Sequence, residues 1–78
     1  MIEHELKTLP KFFKVIEDGQ KTFEIRKNDR NFQVGDVVIL KEFSSSKGYT
    51  GRELIITITY VTNYRQKKGY VVFGFVEY

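Results

Sequence analysis

Lys21, Glu24 and Arg26 sit in the segment Gly19-Gln20-Lys21-Thr22-Phe23-Glu24-Ile25-Arg26, where turn chemistry, charge and strand alternation converge. On an extended strand Glu24 and Arg26 share one face, with Lys21 at the turn just before them. A carboxylate flanked by two cations stays ionised and can accept a hydrogen bond from a base amino group. The cations can reach phosphate or carbonyl oxygens. The same alternation also describes an exposed ladder of ion pairs, each contributing about 0–1 kcal/mol. Spacing alone leaves both readings standing.

Lys27-Asn28-Asp29-Arg30-Asn31 extends this polar face, either as a rigid phosphate- or sugar-binding loop or as a solvated turn in which Asn and Asp bond locally to the backbone. Tyr49-Thr50-Gly51-Arg52 places an aromatic ring and a cation at a loop end, able to stack on a base or ribose or simply to cap a hairpin. Arg65, Lys67 and Lys68 form a second basic spot, a candidate phosphate contact only. His4 can shuttle protons near neutral pH, or serve as a hydrogen-bonding residue at the core edge. No Ser-His-Asp order, glycine-rich phosphate loop or metal-ligand spacing is present, so no catalytic residues are assigned.

The elements that must position these residues come from one small domain, residues 1–78. A chain of this size buries about 60–65% of its unfolded surface, so the core is thin and seven Phe and five Tyr must fill much of it. With no Cys and one His, neither a disulfide framework, a structural metal nor a cofactor is expected. The start MIEHELK lacks a signal-peptide pattern and no apolar run approaches a membrane span, which predicts a cytoplasmic protein without membrane contact. Thirteen Lys and Arg against ten Asp and Glu give a net charge of +3, tilting partners towards polyanions.

The pattern predicts a short extended segment over Glu3 to Lys7, then Thr8 as N-cap and a helix from Leu9 to Asp18 with Pro10 in its first turn and Gly19 ending it. After Gly19 the period changes to two. Phe23 and Ile25 point one way, Thr22, Glu24 and Arg26 the other, as a half-buried strand with a charged face. Phe32 to Asp36 reads as a packed turn feeding a strand from Val37 to Phe43. A mobile loop over Ser44 to Gly48 precedes a long strand, Glu53 to Tyr64, and a basic turn leads into a last strand, Tyr70 to Tyr78, with Gly74 marking a bulge or close approach. The fold class is α+β, mainly β: a curved sheet of about five strands closing into a small barrel, with the N-terminal helix plugging one side.

The segment Gly19 to Arg26 resembles the glycine, lysine, glutamate, arginine signature of ASCH domains, small β-barrels of the PUA-like superfamily. The likeness continues through Phe32-Gln33-Val34-Gly35-Asp36-Val37. The whole chain resembles a compact ASCH-like set of bacterial and phage proteins, on HELK (His4 to Lys7), FEIRKNDR (Phe23 to Arg30) and YTGR (Tyr49 to Arg52). That resemblance implies a non-catalytic module binding RNA or a single strand, in a cleft lined by Lys21, Glu24 and Arg26 with Lys27 and Arg30 at its rim; Tyr49 and Arg52 complete the candidate contacts. Some small ASCH proteins resemble amidohydrolases that deacetylate acetylcytidine with a lysine, a threonine and a glutamate. Lys21 matches the lysine, but the threonine position is Glu24 here, and Thr22 lies a two-residue step, about 6–7 Å, from it. A small hydrolase of modified nucleosides is the alternative, and a protein-interaction module using the aromatic surface the third.

Overall fold

The computed structural model describes residues 2–77 and orders them as β1 (Glu3–Thr8), α1 (Pro10–Glu17), β2 (Phe23–Lys27), β3 (Val37–Ser44), β4 (Gly48–Thr62) and β5 (Tyr70–Glu77). The strands form one sheet in the order β1-β3-β4-β5-β2. All neighbours are antiparallel except β1 and β3, which run parallel from Glu3 opposite Val37 to Thr8 opposite Glu42. The sheet curls into a half-barrel, and α1 plugs it with Phe13 and Ile16. Inside, Leu6, Val38, Leu40, Ile56, Ile58 and Phe73 close over one another, each at most 6% exposed.

The backbone does not close the barrel. β1 and β2 are the two edges, and side chains bridge them: Arg26 Nη2 donates to the Lys7 carbonyl at 2.9 Å and Arg30 Nη1 to the Glu5 carbonyl at 2.6 Å. Both carbonyls belong to an edge strand, whose outward groups have no ladder partner. The loop between β2 and β3 stoppers the half-barrel: Asn28 Oδ1 accepts from the Phe32 amide, and Phe32, 2% exposed, packs on Phe73 and edge-on against His4. Beneath it His4 Nε2 donates to Asp36 Oδ2 at 2.8 Å, and Asp36 also accepts from the amides of Ile2 and Gln33.

Four expectations need correction. Thr8 does not cap the helix; it ends β1 as a buried residue, and Leu9 takes the N-cap without a side-chain bond. The faces of β2 are inverted: Glu24 is 4% exposed, while Phe23 and Ile25 stand 44% and 54% exposed. The register explains this, because Glu24 lies opposite buried Phe73 and Arg26 opposite buried Val71, so alternation carries both inward. Inward charge on an edge strand also disfavours pairing with another chain. β4 begins five residues earlier than expected, at Gly48 rather than Glu53, so Tyr49 to Arg52 lie in a strand, not at a loop end. There residues 50–52 bulge opposite Glu42, a path that Gly51 permits with φ near +92°. Gly74, expected to mark a bulge or a close approach, instead stands opposite a bulge that lies in β4, between Ile58 and Tyr60. The end of the last strand at Tyr78 lies outside the described residues. Gly19, with φ +78°, leaves the helix as its sequence position suggested.

Candidate functional site

The seam between the edge strands holds a cleft of about 390 Å³, lined by Lys7, Thr8 and Leu9 from the end of β1, Phe12 from α1, and Lys21 with Phe23 to Arg26 from β2. Its size sits near the lower end of the roughly 300–1,000 Å³ typical of small-ligand sites. The floor is a charged triad. Lys21 Nζ donates to Glu24 Oε1 at 2.6 Å and Arg26 Nε to Glu24 Oε2 at 2.8 Å, so each oxygen of a buried carboxylate carries one cation. Net charge at the floor is therefore +1. The rim is apolar: Leu9, Phe12, Phe23 and Ile25 are each more than two-fifths exposed. Lys21 Nζ lies 4.8 Å from the Phe12 ring centroid and 5.5 Å from that of Phe23, so the ammonium rests against two aromatic rings.

A second, open depression adjoins the cleft and shares Lys7 and Arg26 with it. Glu5, Leu6, Arg30, Lys41 and Tyr49 complete its lining, so four cations face one carboxylate. Lys7 and Lys41 are brought side by side by the parallel register of β1 and β3. Lys7 Nζ rests 4.5 Å from the Phe43 ring centroid, and Lys41 pairs with Glu5 at 3.2 Å. Glu5 holds the Lys41 ammonium above the ordinary lysine pKa through that contact and its charge.

The structure brings together Lys21, Glu24, Arg26, Arg30 and Tyr49 of the residues singled out by sequence. Lys27 stands outward at the end of β2 and lines neither depression. Arg52 is engaged elsewhere: it pairs with Glu17 of α1, approaches Glu42 and lies over the Phe13 ring at 5.1 Å, while Thr50 Oγ1 donates to Glu42 Oε1 at 2.7 Å. This cluster ties the bulge of β4 to the helix. Thr22 lines a different hollow, with Ile16, Leu54 and Phe75, which borders the cleft through Lys21. His4 is spent on Asp36. Sequence reasoning missed Lys7, Thr8, Phe12 and Lys41. Lys7 lies in the HELK segment, but nothing local marks Lys41, which reaches the site only through a parallel pairing of strands far apart in sequence.

No helix among the described residues is long and apolar enough to cross a membrane. A relative from Escherichia phage P2, described as an uncharacterized 12.9 kDa protein in the GpA 3′ region, is 42% identical over 60 residues, which is 77% of this chain and 54% of the relative. The chain thus spans about half the length of that phage protein. Residues 3–75, from the first residue of β1 into β5 and including every residue of the cleft and its basic neighbour, match the model of DUF3850, a domain of unknown function, and the chain belongs to that family.

Proposed function

We propose that the chain is a non-catalytic module of the ASCH type within the PUA-like superfamily that binds RNA or a single strand, one unpaired base in the cleft and its flanking phosphates in the basic depression. The observation that carries this reading is the continuity of the two hollows through Lys7 and Arg26. An aromatic- and aliphatic-rimmed cleft of single-nucleotide size suits a base, because each base has an apolar face to stack and polar edges to pair. The adjoining depression supplies four cations for phosphate, with Tyr49 beside them. The open seam leaves room for a strand to run past both.

The hydrolase alternative draws less support from the geometry. Both Glu24 oxygens are already held by cations, Oε1 by Lys21 and Oε2 by Arg26, so the carboxylate is occupied within the triad. Thr22, the hydroxyl nearest in sequence to the expected nucleophile, does not line the cleft but a neighbouring hollow that shares only Lys21 with it. The test is a fluorescence titration of short single-stranded and structured RNAs at two salt concentrations. Micromolar or tighter binding that weakens with salt and is lost in the Lys21→Ala/Arg26→Ala double variant supports the module; equal affinity in that variant removes the site.

A further inference from the structure

Five polar side chains are buried among the described residues: His4, Thr8, Glu24, Asp36 and Glu42. Four have partners. His4 and Asp36 hold one another, Glu24 holds Lys21 and Arg26, and Glu42 accepts from Thr50. Thr8 alone does not: its Oγ1 is buried without a hydrogen-bond partner, in a residue 2% exposed that lines the cleft. β1 alternation carries Thr8 inward after His4 and Leu6, to the end of the strand where the cleft begins. A fold that needed only shape there is served as well by valine, which has the same outline and no polar atom to satisfy.

Resting on the nucleic-acid reading of this cleft, we infer that Thr8 is the base-reading residue, its hydroxyl completed by the edge of a bound base, and that the base is uracil or one with the same edge. The other polar groups of the cleft set the pattern. The Lys7, Lys21 and Arg26 side chains are donors only, and the Glu24 oxygens are already engaged by the last two. Carbonyl oxygens of a ligand therefore face Lys21 and Arg26, and a ring N–H has the Thr8 oxygen to donate to. Uracil presents such an edge, two carbonyls flanking one N–H. Cytosine offers an amino donor and an unprotonated ring nitrogen in place of one carbonyl and the N–H, which sets donor against donor at a cation. Rotation about χ1 exchanges the Thr8 hydroxyl and methyl among staggered positions without moving the strand, and the base edge selects the position that meets it.

The experiment compares fluorescein-labelled octauridylate, octacytidylate and octaadenylate on the wild-type chain, Thr8→Val and Thr8→Ser, with thermal unfolding of each protein. The expected result is octauridylate preferred about tenfold by the wild type, a loss of about tenfold for it in Thr8→Val with an unchanged or raised Tm, and binding retained in Thr8→Ser. A Thr8→Val protein that unfolds at lower temperature or fails to fold shows a structural hydroxyl and overturns the inference, as does unchanged octauridylate binding in that variant. Wild-type binding without preference among the three overturns it while leaving the module standing. Absence of binding to all three removes the module reading and this inference with it.

Discussion

Arg26 Nη2 donates to the main-chain carbonyl of Lys7 at 2.9 Å, joining one edge strand of the sheet to the other. The same guanidinium, through Nε, holds Glu24. One side chain thus links the seam of the half-barrel to the floor of the cleft, so fold closure and site geometry are coupled at this residue.

Arg26→Ala is expected to destabilise the fold by about 2 kcal/mol, within the 1.5–3 kcal/mol of hydrogen bonds to charged groups and tempered by its partly exposed side chain. Arg26→Lys recovers less than half of this, because an ammonium cannot span Glu24 and the Lys7 carbonyl as the planar fork does. Urea unfolding with an unchanged m-value measures it; full recovery by lysine contradicts the bridging role.

Glu24→Gln removes the charge that both cations share while keeping the shape. Its amide NH₂ must face one of two donors, and the expected loss is about 2–3 kcal/mol, below the 3–5 kcal/mol of a fully buried pair because Lys21 and Arg26 keep some solvent. Chemical denaturation checks this. A neutral substitution means that the triad contributes nothing to the fold.

Asp36 sets an acid limb of stability. Burial alone raises its pKa, but hydrogen bonds from His4 and the amides of Gln33 and Ile2, with the charge of His4, outweigh that and hold the carboxyl below its ordinary value of 3.8. A folded pKa below the unfolded one gives stability that is complete above the unfolded value and disappears as pH falls through the folded one. Asp36→Asn is expected to be less stable than wild type at pH 6, with the difference shrinking as pH drops below 3.8. Unfolding curves between pH 6 and pH 2 test the sign; a constant difference across that range rules out Asp36 as the titrating group.

Much of the frame was legible in the residues. The switch of period at Gly19, the Pro10 start of the helix and the β-branched run of β4 each reflect local chemistry, and local chemistry can be read locally. What escaped was decided across the sheet. Phe23 and Ile25 look like a core face until β2 is seen pairing with β5, where Phe73 and Val71 claim the inside and draw Glu24 and Arg26 with them. Lys41 reaches the site through a parallel partner more than thirty residues away, and Arg52 leaves it because three bulged residues redirect β4 towards α1. The triad itself was visible as a charged cluster. Its burial, which separates a site from a surface ladder, was not.

Cations of the depression separate from those outside it by their salt dependence. Lys7→Ala and Lys41→Ala are each expected to weaken octanucleotide binding and to lower the slope of log K against log salt by about 1, while Lys27→Ala leaves the slope unchanged. Titrations at three salt concentrations give the slopes. Equal slopes for all three variants place the phosphates elsewhere.

Amide chemical-shift mapping during a titration with octauridylate reports where a strand lies on the protein without relying on any substitution. The expected perturbations concentrate at Lys7 to Phe12, Lys21 to Arg26, Lys41 and Tyr49, and leave Lys27, Arg52 and Arg65 to Lys68 near their free positions. Perturbations centred on the Arg65 to Lys68 turn, or none at millimolar RNA, rule out the cleft as the strand's site.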